Sequence, residues 1–338
     1  MSPLPRKPVP ENGMDIDFVI PWVDGNDPAW LAEKSRFAPR QSEDGRDIRF
    51  RDWDLLRYWF RAIETHAPWV HRIFFVTWGH LPPWLDASHP KLRIVKHADY
   101  IPGRYLPTFS SHPIELNLHR IPDLAEHFVY FNDDVFVLRD VRPSDFFVDG
   151  LPCDCLVENP ITPLQGDFSS ILCATTAVVN KHFAKKAVTG QGWKYWNPAY
   201  KALLFRSLAM RQFNNILGFY NPHISQAHLK STFAEVWDAE FGELDRTCLN
   251  RFRTPNDVNQ YVFRYWNLCS GRFHPKYPLG RNVKLSRDLA SIRRILFHGT
   301  DKVVTLNDVA GLGDFEERRE AVGQMFENRY PGKSSFEV

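Results

Sequence analysis

Short apolar runs alternate with amphipathic stretches along most of the chain. Asp17-Phe-Val-Ile20 reads as a buried strand, Arg72 to Thr77 as a second, and Leu92 to Val95 as a third. Between the first two, Leu55, Leu56, Trp59, Phe60 and Ile63 recur at helical spacing over residues 51–66, and Pro68 closes that helix. Ile114, Leu118 and Ile121 form a further helical stripe, which starts after Ser110-Ser111 and stops near Pro122. An apolar, aromatic-rich run over 127–139 is then halted in its middle by Asn132-Asp133-Asp134. This alternation predicts an α/β class with a largely parallel sheet. Ligands of such sheets bind beyond the carboxyl ends of the strands. The loops Trp22-Val-Asp24 and Thr77-Trp-Gly79 and the Asp133-Asp134 pair are therefore expected along one edge.

The second half of the chain changes character. Residues 155–159 and 169–179 read as strands, and 181–275 reads as mostly helical and rich in aromatic residues. One helix there is punctuated by Thr254 as N-cap, Pro255 in the first turn, a stripe of Val258, Val262 and Tyr265, and Gly271 as terminator. Lys302 to Leu306 reads as a strand that meets a second acidic stop, Asn307-Asp308, and a last helix covers about 314–329. The expected organisation is a disordered tail over 1–13, an α/β core over 14–180 and 276–338, and a helical cap inserted over 181–275.

Composition narrows the classes. With 43% hydrophobic and 24% charged residues the chain is globular. A net charge of +2 offers no bulk electrostatic case for nucleic acid. No strand leads into G-x-G-x-x-G or G-x-x-x-x-G-K-[ST], so neither a dinucleotide fingerprint nor a P-loop is supported. The five cysteines are odd in number and lack zinc-ribbon spacing, which favours reduced thiols in a cytosolic protein. Met1 to Gly13 holds no apolar signal core, and no apolar run approaches a membrane span. The expectation is a cytoplasmic protein, associated at most peripherally with the inner face of the membrane.

The acidic stops carry the chemistry. Two adjacent carboxylates inside an apolar run are costly to bury without a partner. A divalent cation suits them, Mg²⁺ beside phosphates being the commonest case. So does a surface turn, for which Asn-Asp is well made. A second stop at Asn307-Asp308 favours the metal, provided the two strand ends meet.

Four blocks of residues then resemble a known family. The first is Asp17-Phe-Val-Ile-Pro-Trp-Val-Asp-Gly-Asn-Asp-Pro28. The second runs from Arg49 to Phe147 and includes Leu106-Pro-Thr-Phe-Ser-Ser-His112, Ile114-Glu115, His119-Arg-Ile121 and Tyr130-Phe-Asn-Asp-Asp-Val135. A third runs from Pro222-His223 through Asn250-Arg-Phe-Arg253, and a fourth joins Thr305-Leu-Asn-Asp308 to Phe326–Glu337. In order and content they resemble the Stealth family, which includes bacterial capsule polysaccharide phosphotransferases and the animal GlcNAc-1-phosphotransferase.

The resemblance implies a Rossmann-like, nucleotide-sugar-transferase-like sheet flanked by helices. It also implies transfer of a hexose- or N-acetylhexosamine-1-phosphate from a nucleotide-diphosphate sugar, a UDP-sugar before others. The acceptor is a hydroxyl of a polysaccharide or lipid-linked saccharide, and the product a phosphodiester. By position, Glu115, Asp134, His223 and Arg253 match catalytic residues of the family, the last two from the expected cap. Asp133, Asp134, Asn307 and Asp308 match a Mg²⁺ site, Mn²⁺ being the alternative ion. Trp22, Asp24 and Gly25 are expected at the nucleotide, and Arg57, Ser110, Ser111, His112 and Arg120 at the donor phosphates or sugar. Either His223 or Glu115 serves as the general base. From their clustering alone, Trp193, Tyr195, Trp196 and Tyr200 either face the acceptor or pack as core. From the residues alone, a metal-dependent glycosyltransferase and a non-enzymatic carbohydrate-binding surface protein stay open.

Overall fold

In Ile16–Trp22, Phe18, Val19 and Ile20 are all fully buried, an apolar run on both faces that marks an inner strand of a covered parallel sheet. A computed structural model describes residues 13–38, 51–164, 168–309 and 311–338. The tail expected over 1–13 lies, except for Gly13, outside the described residues. Eleven strands occur among the described residues: β1 (Ile16–Trp22), β2 (Ile73–Thr77), β3 (Leu92–Lys96), β4 (His127–Tyr130), β5 (Val135–Val137), β6 (Phe147–Val148), β7 (Leu151–Asp154), β8 (Gln226–Leu229), β9 (His274–Pro275), β10 (Gly280–Lys284) and β11 (Val303–Asn307). The main sheet has the order β3-β2-β1-β4-β8, parallel except for β8. A second sheet has the order β10-β11-β5, with β5 antiparallel to β11, and β6-β7-β9 form a third.

Alternate residues of the main strands feed two core layers, as the period of two requires. Phe18, Ile20 and Phe75 pack with Trp59, Phe60 and Ile63 of the helix Leu56–His66, and with Val322 and Phe326 of the helix Phe315–Arg329. On the other face Val19, Phe74, Phe128 and Tyr130 meet the helices Phe168–His182, Lys230–Ala239 and Tyr261–Ser270. The segment 181–275 is thus one covering layer of the main sheet and supplies its edge strand β8, so it does not stand apart as a cap.

Four local expectations are corrected. The run 127–139 is two strands in two sheets, β4 and β5, and Asn132-Asp133-Asp134 is the crossing between them. Residues 169–179 lie in a helix, whose buried side is Ile171, Thr175, Val178 and Val179. Those positions have helical spacing once threonine is counted as buried. Residues 155–159 make only an isolated bridge between Glu158 and Phe219. Thr254 caps a turn, since the helix begins at Tyr261, although Gly271 does end it in the left-handed conformation at φ 76°. Among the described residues no helix is long and apolar enough to cross a membrane.

Candidate active site

The two acidic stops meet. β11 runs antiparallel to β5, pairing Thr305 with Val135, and the Leu306 N–H donates to the Asp134 carbonyl at 2.8 Å. Trp22 ends the neighbouring β1, so the carboxyl ends of β1, β4 and β11 gather at one edge. Two connected hollows open there. The larger, of about 700 Å³, is lined by Trp22, Ser110, Ser111, His112, Glu115, Asn132, Asp133, His223 and Arg253. The smaller, of about 270 Å³, is lined by Arg51, Asp52, Trp53, Asp133 and Asp134. Trp22, Val23, Asp133, Asn307 and Asp308 belong to both walls. A volume of this size suits a small-molecule site.

The acid pair sits uncomfortably by itself. Asp133 opens into the cleft, yet desolvation by the protein around it, then the like charges of Asp134 and Asp52, push its carboxyl up to about 7. Desolvation likewise pushes Asp134 up to about 7. Asp134 Oδ1 is buried and has no hydrogen-bond partner among the described residues. A buried carboxylate oxygen without a donor is unfavourable unless a cation meets it.

Asp308 is placed differently. Arg51 grips it with Nε to Oδ2 at 2.8 Å and Nη2 to Oδ1 at 2.6 Å, and the Val309 N–H also donates to Oδ1. Among the described residues no three His, Cys, Asp or Glu side chains gather as a metal cage. Mg²⁺ does not require one, because it binds through one or two carboxylates with water and substrate phosphate completing its shell. Asp133 and Asp134 fit such an ion in donor chemistry. Asp308 lies beside them with both oxygens turned to Arg51.

Across the larger hollow stands a second polar group. Glu115, nearly buried on the helix Ser111–Leu116, accepts from the Tyr130 hydroxyl at 3.1 Å. Arg253 donates to Ser111 Oγ at 2.8 Å; desolvation lowers its guanidinium from the ordinary value, and the nearby Glu115 opposes that fall. His223 takes an unusual φ of 48° and lies between two amides, Nε2 being 3.2 Å from Asn132 Nδ2 and Nδ1 3.3 Å from Asn282 Nδ2. The Thr305 hydroxyl, from β11, donates to the His223 carbonyl. Burial lowers the His223 imidazole below its usual range, with Glu115 pulling the other way, so it is neutral near pH 7. Behind them His112 Nδ1 meets Asp257 Oδ2 at 3.3 Å, both side chains being buried. Asp257 is also held by Asn250 and by the Thr254 N–H and hydroxyl. His112 Nε2 is buried without a partner among the described residues.

The structure therefore gathers Trp22, Ser110, Ser111, His112, Glu115, Asp133, Asp134, His223, Arg253, Asn307 and Asp308 around one cleft. Others fall outside its walls. Arg57 pairs with Asp54 and lies over Trp84. Arg120 bonds Asn117 and lies over Trp237. Asp24 accepts from the Asn26 N–H, while its own N–H donates to His80 Nε2, and Asp24 and Gly25 stand just past the cleft wall. Tyr195 and Tyr200 are fully buried core residues, which separates them from the exposed Trp193 and Trp196. Sequence reading gave no role to Arg51, Asp52, Tyr130, Asn282 or Asp257. Arg51 and Asp308 are 257 positions apart, and no spacing rule links them.

Comparison with known proteins bears on the family. Residues 14–41 match Stealth protein CR1, conserved region 1, and residues 49–153 match Stealth protein CR2, conserved region 2. The chain is 42% identical over 330 residues to a capsular polysaccharide phosphotransferase WcwK of Streptococcus pneumoniae, covering 96% of this chain and 99% of the relative. It is 36% identical over 333 residues to the receptor polysaccharide phosphotransferase WefC of Streptococcus oralis (96% and 99% covered), and 35% over 327 residues to the exopolysaccharide phosphotransferase cps2G of Lactiplantibacillus plantarum (96% of each). Among solved structures, a galactosyltransferase LgtC complex has a TM-score of 0.37 at 12% identity, with 91% of this chain and 95% of that one covered. Mouse xyloside xylosyltransferase 1 has a TM-score of 0.37 at 13%, with 87% and 98% covered; likenesses so slight add nothing to the sheet order already described. The two conserved regions coincide with the first two blocks read in the sequence, and the relatives span nearly the whole chain: the chain belongs to the Stealth family.

Proposed function

We propose that this protein moves a sugar-1-phosphate from a nucleotide-diphosphate sugar to a hydroxyl of a polysaccharide or lipid-linked saccharide. The coarser activity is that of its relatives, and the chain is a polysaccharide phosphotransferase of cell-surface polysaccharide synthesis. The observation that carries the finer reading is one cleft with Asp133 and Asp134 on one side, Asp134 Oδ1 buried without a partner among the described residues, and Arg253, His223 and Glu115 on the other. The acceptor oxygen forms a bond to the sugar-bearing phosphorus as the bond from that phosphorus to the bridging oxygen breaks. Nucleoside monophosphate leaves, and the sugar–oxygen bond stays intact. Such transfers ask for positioning, charge neutralisation and a base.

This chain supplies each. Arg253, anchored by Ser111, presents a fork suited to phosphate oxygens. His223, kept unprotonated by burial, takes the acceptor proton; its ring stands between the Asn132 and Asn282 amides, and the contact at the unprotonated nitrogen gives way to the acceptor hydroxyl. Glu115 biases both through its charge. Mg²⁺, or Mn²⁺ in its place, held by Asp133 and Asp134 would supply neutralisation of the diphosphate. Trp22, between the two hollows, offers an aromatic face for the nucleotide.

The test is incubation with UDP-, GDP- and CDP-activated sugars, Mg²⁺ and a saccharide acceptor, followed by ³¹P NMR. A phosphodiester resonance together with nucleoside monophosphate is the expected result. Release of nucleoside diphosphate without a phosphodiester would instead make the protein a glycosyltransferase.

A further inference from the structure

The net charge of the chain hides a strong local imbalance. From Phe168 to Ala234 there are eight Lys and Arg and no Asp or Glu, against a total of +2, so the rest of the chain is net acidic. Within that stretch Lys181 pairs with Glu240 and Glu243, Lys185 is buried against Glu158, and Lys230 bonds main-chain carbonyls. Lys194 donates to the Gly271 carbonyl and Arg206 to the Asn159 side chain, and neither they nor Lys186, Lys201 and Arg211 have an ion-pair partner among the described residues.

The same stretch carries an exposed apolar face. Of fourteen exposed large hydrophobic residues among those described, five fall between 193 and 213: Trp193, Trp196, Phe205, Leu208 and Phe213. Trp193 is 69% and Phe205 74% exposed, too far out to be ragged core. Phe205 and Leu208 stand three apart on the helix Leu204–Met210, whose opposite side buries Ser207 and Met210. The Arg211 guanidinium lies 6.0 Å from the Trp196 ring, which joins that helix to the Trp193–Trp196 segment in one surface. A monomer gains nothing by leaving such a face in water.

We propose that this face, centred on Trp193, Trp196, Phe205, Leu208 and Arg211, docks the protein onto an anionic lipid bilayer. Aromatic and aliphatic side chains enter the boundary between headgroups and acyl chains while the basic residues meet lipid phosphates, as in interfacial amphipathic elements. The chemistry favours a bilayer over a saccharide. Sugar hydroxyls are held by carboxylates and amides beside the aromatic ring, and this stretch has no carboxylate at all. Phe205 and Leu208 offer apolar bulk with no hydrogen-bonding partner for a hydroxyl. The placement is independent of the reaction, since none of these five residues lines the cleft.

The test is sedimentation of the full chain with phosphatidylcholine vesicles and with vesicles that also contain phosphatidylglycerol. Binding is expected only with the anionic lipid and is expected to fall as salt rises. Arg206→Gln with Arg211→Gln lowers the partition about tenfold or more, two phosphate-facing charges being lost. Phe205→Ser with Leu208→Ser lowers it while leaving the melting temperature and soluble-substrate turnover unchanged. Equal binding to both vesicles, no binding, or variants that bind like the parent would overturn the proposal. So would a dimer that the Phe205/Leu208 variant dissolves, or retention on soluble polysaccharide lost in the same variant. Vesicle binding is read without turnover, so its failure says nothing against phosphotransfer, and the converse holds as well.

Discussion

Replacing Asp134 with asparagine should make the metal-free protein more stable and catalytically dead. The Asp134 carboxyl, ordinarily at 3.8, is pushed up to about 7 by burial. About three units at 1.36 kcal/mol each set an upper bound of ~4 kcal/mol; local relaxation and partial access to the cleft cut this to about 2 kcal/mol. The native state binds more protons than the unfolded chain between those two values, so stability falls as pH rises through that window. Below pH ~4 the penalty is absent, and above pH ~7 it is complete. With an unfolding entropy of about 2.1 cal/mol/K per residue over 338 residues, 2 kcal/mol corresponds to ~3 °C. Thermal melts of Asp134→Asn without metal should therefore run about 3 °C above the parent near pH 8 and level with it near pH 4. Mg²⁺ should raise the parent's melting temperature near pH 8 and leave the variant's unchanged, and turnover should fall by roughly 10³-fold. A variant no more stable than the parent at the higher pH, or protected equally by Mg²⁺, refutes the reading of Asp134 as a cation-seeking carboxylate.

Further substitutions test the opposite wall and the frame behind it. His223→Asn should abolish turnover with the fold intact. In the parent, the acid limb of kcat/KM should lie below the usual histidine range, because burial lowers this imidazole; a limb at or above that range speaks against His223 as the base. Arg253→Lys should recover little of the ~10²-fold or greater loss in kcat expected of Arg253→Ala, since a point charge cannot replace the fork; full recovery in steady-state assays would argue that charge alone matters. His112→Gln tests positioning through Asp257: kcat should drop several-fold while the melting temperature moves little, and a change confined to KM would place His112 at the donor instead. Glu337→Ala removes the bidentate partner of the buried Arg61, at 2.7 and 2.8 Å, and should cost about 3 kcal/mol in urea unfolding; a loss below about 1 kcal/mol would mean Glu327 and the Tyr330 carbonyl hold Arg61 unaided.

The sequence made the inner strands legible for a simple reason. β1 and β2 are buried on both faces, so their composition announces them wherever they pair. The helix Leu56–His66 shows itself through one strongly apolar side. The helix Phe168–His182 was hidden because its buried side alternates Ile and Val with Thr175 and Thr176, and β-branched residues in series read as a strand. Pairings between distant segments left no local trace. Nothing near residue 226 says that β8 joins β4, and nothing near Arg51 points to Asp308. Among the site residues, Asp133, Asp134, Glu115, His223 and Arg253 could be named by resemblance, whereas the amides around His223 could not, because Asn282 reaches it only through the second sheet.

Turn and cation site, the two readings of Asn132-Asp133-Asp134, do not exclude each other: the Val135 N–H bonds the Asn132 carbonyl and closes a turn at Asp133-Asp134, and what matters is where that turn lies. A turn between two strands of one sheet would leave its side chains in water and cost nothing. Here the chain leaves one sheet at Tyr130 and enters another at Val135, so the turn lies at the seam, with Asp133 open to the cleft and Asp134 half-buried. The backbone is pinned at its ends: Phe131 N–H bonds the Val19 carbonyl, Val135 N–H bonds the Asn132 carbonyl, and the Asp134 carbonyl receives the Leu306 N–H. The side chains are treated unequally. Asn132 is engaged by His223, while Asp134 Oδ1 is buried with no donor among the described residues. A fold selected for stability alone would place an amide or an apolar residue at such a point, since an unpaired buried carboxylate is among the costlier groups to retain. The backbone holds Asp134 in register while one carboxylate oxygen has no partner among the described residues, which is why the Asp134→Asn melt with and without Mg²⁺ is the measurement that separates a cation ligand from a strained turn.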